Sequence, residues 1–325
     1  MLSYVIRRAI YAVLVLAGVN LLTFILFFSV NTPDDMARMQ LGGKRVSQES
    51  VDRWKAERGY DRPYYFNPAS AGVQKITNTV FFESSARMLS FDFGKTNEGR
   101  DIADELLKRL APTAAVAIPV FFLTVGVSIL FALGLVMFRG TRLDTAGVIL
   151  LVALMSISSL FFIIVGQYAF AKVLRLMPIS GYVPGPAMFT FTLLPVLVLV
   201  ISRLGPDSRL YRSIYLEELS KDYVRTARAK GMAESRVLLV HVLRNSLIPI
   251  ITASGLLLPA LFAGAIVTET FFGIPGLGSF TIEGITQQDF NIVRAVVFFG
   301  SFIYVLAFLL TDIAYSWADP RVRLH

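Results

Sequence analysis

Apolar positions gather into six long stretches, and nearly all of the charge lies between them. Ala9 to Val30, Pro112 to Phe138 and Gly147 to Phe170 contain no charged side chain. Ala187 to Ile201 is shorter and holds Pro195, Leu247 to Thr268 holds Pro249 and Pro259, and Ala295 to Ile313 is the last. An unpaired backbone group in hydrocarbon costs several kcal/mol, so about twenty apolar residues in a row are read as a helix that crosses a bilayer. The pattern therefore predicts an all-helical membrane protein with six transmembrane helices.

The polar segments set an expected orientation. With the amino terminus inside, the loop holding Arg139 and Arg142, the basic stretch from Arg203 to Arg244, and the tail with Arg321 and Arg323 all fall in the cytoplasm, as the positive-inside rule requires. Phe271 to Asn291 has no lysine or arginine, and Lys172 to Met188 has only Lys172 and Arg175. Arg7 and Arg8 precede the first run, but that run is too long for a signal peptide and no small-residue cleavage site follows, so it is expected to remain as an anchor. The long loop from Asn31 to Ala111 reads as a small exported subdomain, with helices expected from Ser47 to Arg58 and from Asp101 to Leu110. In the second of these, Asp101 and Asp104 open the helix while Lys108 and Arg109 close it, matching the helix dipole.

Composition agrees with the membrane reading and removes other classes. Apolar residues are 55% of the chain and charged residues 17%, where a soluble domain carries about a quarter charged. The net charge of +8 sits beside apolar spans and not on a separable basic domain, which argues against nucleic acid. Cysteine is absent, and His241 and His325 are the only histidines, so thiolate chemistry is excluded and little metal chemistry is left. Arg294 and Asp312, near the two ends of the sixth run, are read as interface snorkelling and helix-end placement. Trp317 fits an interfacial aromatic belt, and Trp54 is assigned no role.

No G-x-x-x-x-G-K-[ST], G-x-S-x-G or H-E-x-x-H pattern occurs, so the chain has no ATPase motif and no recognised catalytic centre. The centres of the six runs also lack the ionisable residues that ion-coupled transport uses, which places the energy source outside this chain. The informative stretch is the basic loop between the fourth and fifth runs, D-Y-V-R-T-A-R-A-K-G-M-A-E-S-R-V-L-L-V-H-V-L-R-N-S-L-I-P-I from Asp222 to Ile250. Asp222 can open a helix, Gly231 can end it in the left-handed region, and Glu234 can open a second one, giving two short helices in an L. Val237, Leu238, Val240 and His241 are expected on one apolar face of the second, with Arg236 and Arg244 near phosphate headgroups of the membrane lipid.

Tyr223 to Pro249 resembles the E-A-A, three residues, G loop of permease subunits of ABC importers, with Arg225-Thr226-Ala227 and Gly231 in the matching places. Arginine and threonine at the first two positions, and His241-Val242-Leu243-Arg244 further on, are similar to the dipeptide and oligopeptide permease branch. Y-V-I-R-R at Tyr4 to Arg8, F-D-F-G at Phe91 to Gly94, T-E-T-F-F-G-I-P-G-L-G at Thr268 to Gly278 and D-P-R-V-R at Asp319 to Arg323 extend the resemblance over nearly the whole chain. It implies a type I importer fold: an anchoring first helix (1–30), an extracytoplasmic loop subdomain (31–111), a five-helix core (112–317) containing the coupling loop (205–246), and a cytoplasmic tail (318–325).

The resemblance further implies a coupling helix that docks in a cleft of an ATPase, with Tyr223, Arg225, Thr226, Ala227, Gly231, Met232 and Glu234 as the coupling set. Expected partners are a second homologous permease, two ATPase subunits and an external substrate-binding protein. No cofactor is bound by this chain itself; ATP and magnesium belong to the partner ATPases. Glu269, Phe271, Phe272, Pro275, Gly276 and Gly278 form either a periplasmic gate or receptor contact, or an ordinary turn closing a helical hairpin. Glu269, Glu283 and Asp289 either attract a peptide amine or solvate that loop. Pro195, Gly255 and Pro259 either bend helices along the pathway or permit close packing. The implied cargo is di- or oligopeptides; a nickel chelate or a sugar in the same permease role, and a self-sufficient secondary transporter, are the alternatives.

Overall fold

In the computed structural model, residues 2–42 and 46–318 are described. The helices are α1 Leu2–Val30, α2 Pro33–Leu41, α3 Gln48–Glu57, α4 Gln74–Thr77, α5 Val80–Leu89, α6 Ile102–Met137, α7 Arg142–Met155, α8 Ser159–Gly166, α9 Met188–Glu218, α10 Asp222–Ala229, α11 Glu234–Arg236, α12 Leu243–Gly255, α13 Leu257–Phe272, α14 Leu277–Thr286 and α15 Phe290–Ala318. Wider π-helical turns at Gln167–Val173 and Val237–Val242 extend α8 and join α11 to α12. Among the described residues, five helices are long and apolar enough to cross a membrane, and the bent pair α7 and α8 makes six. The D-P-R-V-R match lies outside the described residues.

The spans differ from the hydropathy reading in ways that have physical causes. The third is broken: α7 and α8 meet at 94°, with Ser158 extended before the second half. The fourth does not stop at Ile201 but runs to Glu218, passing through its first charges, Arg203 and Asp207, which pair one turn apart at 3.2 Å. The helix expected to end at Leu110 has no end there. Pro112 falls within α6, which continues unbroken from Ile102 to Met137.

The chain forms two compact units. One comprises Leu107–Glu283 with the described part of Ile303–His325. Its helices pack around two buried clusters, one centred on Tyr211, Tyr215, Val224 and Leu238, the other on Val120, Leu194, Phe272 and Ile274. Gly255 packs on Thr311 so closely that a Cβ there would lie 2.5 Å from its hydroxyl, which is the close-packing role for that glycine. Asp312, expected to reach an interface, is buried.

The other unit comprises Leu2–Leu106 and Gly284–Phe302. Thr32 and Asp35 form a reciprocal capping box at the start of α2, and Ser47 caps α3, which runs Gln48–Glu57 within the expected bounds. Met36, Ala37, Val51 and Trp54 form a small apolar core, with the Trp54 indole donating to Gln40 Oε1 at 3.0 Å. Phe24 and Phe28 of α1 pack with Val80 of α5. Asp289 does not solvate a loop: it is buried and accepts the Asn97 N–H at 2.6 Å.

Candidate functional site

Between α9 and α11 the chain makes an elbow. Glu218, the last residue of α9, is buried and accepts from the Tyr223 hydroxyl at 2.5 Å while pairing with Lys221. This anchors the start of α10. Burial first, and then Glu218 beside it, push the Tyr223 phenol up to about 12, so it stays a donor at neutral pH.

One face of α10 is fixed inward. Val224 and Ala227 are buried against Ala132, Leu133 and Val136 of α6, Tyr211 and Tyr215 of α9, and Val237, Leu238 and Val242 beyond the elbow. A fully buried valine contributes about 1.5–3 kcal/mol where the alternative is water. The opposite face, Asp222, Arg225, Thr226, Arg228 and Lys230, is exposed.

The turn after α10 is made by Gly231, at φ 76°, with Met232 N–H returning to Ala227 O at 3.3 Å. Nothing lies within 4 Å of a Cβ built on Gly231, so the requirement for glycine there is conformational and not steric. Arg228 and Glu234 form a two-bond ion pair across the turn, Nε to Oε2 at 3.0 Å, and that pair raises the Arg228 pKa above its ordinary value.

The structure thus sorts the residues expected to couple. Arg225, Thr226, Gly231 and Glu234 are exposed; Tyr223 and Met232 are half-buried; Ala227 packs inward. The second arm is not a separate helix on a surface, because the helical path continues from Glu234 to Phe262. Val237 and Leu238 are buried as expected, but Val240 is 47% exposed and points away from that core, since the π-helical turn advances the register. Arg228, Lys230 and Glu218 were not singled out by sequence. The signals available were an arginine placed to pair with Glu234 and a carboxylate just before the loop.

A second ion pair braces the same end of the unit. Asp144, in the first turn of α7, accepts two bonds from Arg212 Nη2 at 2.9 and 3.0 Å and also the Gly140 N–H at 3.2 Å. It joins α7 to α9, and no linear motif announces it.

At the other end of α6, the F-F-G-I-P-G-L-G stretch forms a folded knot. Gly273 ends α13 in the left-handed region, and Ile274, Gly276, Leu277 and Gly278 are buried while Phe271 and Pro275 are exposed. Glu269 neither faces solvent nor lies open to an amine. It is buried, its carboxylate accepts from Thr113 Oγ1 at 2.6 Å and from Ser279 N at 2.9 Å, and Thr113 in turn accepts the Leu277 N–H at 2.9 Å. Gly276 sits so close that a Cβ would lie 2.2 Å from Glu269 Oε1. Phe272 O accepts the Gly181 N–H at 2.7 Å. Glu283 pairs with Arg109 at 2.7 Å, and the same guanidinium lies over the Phe280 ring. The stretch is therefore more than a bare hairpin turn.

Thr113 belongs to the knot and Ala132 to the elbow core, and both lie on α6. Nineteen residues of helix between them rise roughly 28 Å, close to the thickness of a bilayer's hydrocarbon core. Among the described residues no group of three or more metal-ligating side chains occurs. A multi-span helical bundle with a braced, charged elbow at one end defines a multi-pass membrane protein.

The chain belongs to the family described as binding-protein-dependent transport system inner membrane component, which it matches over residues 124–324, and residues 1–117 match that family's N-terminal component. It has the type I importer membrane domain and is a permease subunit of an ABC transporter. It is 33% identical over 258 residues, 77% of this chain and 80% of the relative, to the dipeptide transport system permease protein DppB of Bacillus subtilis. It is 27% identical to the oligopeptide transport system permease protein AppB of the same organism over 99% of this chain and all of the relative, 100%. A Brucella abortus (strain 2308) protein provisionally named a peptide transport system permease is 31% identical over 99% of both chains.

Proposed function

We propose that this permease forms, with a second homologous permease, the pathway through which an ATP-driven importer carries di- and oligopeptides across the inner membrane. The single observation that carries the coupling mechanism is the two-sided build of α10: one face bolted to α6, α9 and α12, the other charged and open. A partner ATPase gripping Arg225, Thr226, Gly231 and the Arg228–Glu234 pair would move those spans together, because the buried face leaves α10 no freedom to swing alone. Tyr223, Ala227 and Met232 would act from beneath, holding the gripped surface in shape. ATP and magnesium are handled by two ATPase subunits, and cargo arrives on an external binding protein. Both termini and the elbow face the cytoplasm, as the basic loops support. The 1–30 anchor, 31–111 loop subdomain, 112–317 core and 318–325 tail are the functional divisions of this reading.

The Glu269–Thr113–Gly276 knot serves as a rigid outer gate or receptor contact, with Phe271 and Pro275 presented outward and Phe272 and Gly278 packed behind them. The peptide cargo rests on the relatives, which are named for dipeptide and oligopeptide transport. The test is uptake of a radiolabelled dipeptide by the complete transporter in vesicles, alongside its ATP hydrolysis. Gly231→Val should separate the two, with hydrolysis continuing and uptake lost. If both persist at the wild-type ratio, the elbow is not the coupling element.

A further inference from the structure

The unit built from Leu2–Leu106 and Gly284–Phe302 holds a cavity of about 540 Å³ that the transport reading does not use. Its lining is cationic. Arg58, Arg62, Arg87, Lys95 and Arg294 face it, against Glu57, Glu83 and Asp92. Glu83 is engaged by both Arg62 and Arg87, at 2.5 and 2.7 Å, while Asp92 keeps its charge as it accepts the Gly94 N–H at 3.1 Å, so the lining's cations outnumber its carboxylates by two. Among the described residues, Arg58, Lys95 and Arg294 have no carboxylate partner.

Arg294 is the unusual member. It is only 5% exposed, so its charge is enclosed by protein and not extended into water as snorkelling would have it. One Nη2 bond goes to Ser84 Oγ, its guanidinium lies 5.8 and 5.7 Å from the Phe24 and Phe28 rings, and its Nε has no hydrogen-bond partner. A buried guanidinium with a free donor and no counter-ion is costly unless an anion completes it. Arg58 and Lys95 are exposed, so they form a rim above a cationic floor.

The position indicates which anion. Phe24 and Phe28 lie in the last two turns of the first apolar span, and Arg294 lies in the second turn of the last one. Helix ends of this kind fall at the depth of lipid phosphates, where an arginine fork matches a phosphate's oxygens. The geometry points to a phosphate-binding site, filled by the headgroup of an anionic phospholipid, with Arg294 as its buried anchor and Arg58 and Lys95 as its rim.

The test uses the complete transporter in nanodiscs of phosphatidylcholine with or without phosphatidylglycerol, with retained lipid read by native mass spectrometry. Wild type should hold a phosphatidylglycerol that Arg294→Gln binds about tenfold more weakly, the loss expected for one charge-assisted bond. Arg294→Lys should recover part of it. Inorganic phosphate at millimolar concentration is the second arm. Displacement of the lipid would show that free phosphate also enters, and no displacement would assign the site to the headgroup alone. Equal retention by wild type and a folded Arg294→Gln would overturn the proposal. Should that variant fail to assemble, the exposed pair Arg58→Gln and Lys95→Gln decides: unchanged retention and unchanged salt dependence overturn it, and weaker, less salt-sensitive retention supports it.

Discussion

Single residues set the angles on which the proposed coupling depends. At Gly231 a side chain meets no neighbour, so only the positive φ is penalised. Gly231→Ala should destabilise the elbow by roughly 1–2 kcal/mol and Gly231→Val by more, measured as local hydrogen exchange across Asp222 to Arg236. Gly276 is the opposite case, since its Cβ would collide with Glu269. Gly276→Ala should cost about 1–3 kcal/mol through overpacking and lower the melting temperature in detergent, even though a plain turn would accept alanine there. Tyr223 carries a pH signature. Its folded value of about 12 lies above the ordinary 10, so its contribution is intact below pH 10 and is lost as pH rises through 12. Alkaline titration should therefore loosen the elbow of wild type in that window, and Tyr223→Phe should remove that phase. The glycine at the turn was legible in the sequence because only the backbone matters there. The Glu269 lock was not, since its partner Thr113 lies 156 positions away.

Elements were legible where the solvent dictates them and obscure where packing does. The six spans follow from the need to satisfy every backbone group within lipid, so a hydropathy reading finds them. It does not find the 94° break between α7 and α8, because Ser156 to Ser158 interrupt neither length nor apolar character. Nor does it find the continuation of α9 to Glu218, because hydropathy marks where apolar residues stop and not where the helix stops. The brace between α7 and α9 is likewise tertiary. Arg212→Met leaves the buried Asp144 carboxylate with backbone donors alone, so it should cost about 1–3 kcal/mol, read as a lowered melting temperature. The double change Asp144→Leu with Arg212→Met should recover part of that loss but not all, because Gly140 N–H also depends on Asp144.

For the whole molecule, membership of a family of membrane transport components makes this chain one part of an assembly, and the proposed function puts ATP hydrolysis on other subunits. The chain reconstituted alone should neither hydrolyse ATP nor concentrate a labelled dipeptide, and adding the partner subunits and binding protein should restore both. Concentrative flux from the lone chain, followed in sealed liposomes, would contradict this. The Ser47 to Arg58 helix was legible in the long loop, whereas the cationic cavity was not, nor was a compact unit that takes in α1 and Gly284–Phe302. The cavity's cationic members come from α5, α15 and the segments between helices, and share no local spacing. The empty volume beside Gly231 has a chemical corollary. A positive φ is the natural region of a mirror-image amino acid, so D-alanine installed there by segment ligation would meet no clash and would narrow the unfolded ensemble. The elbow should then become firmer than in the natural protein by about 0.4–1 kcal/mol, while L-alanine at the same atom count weakens it.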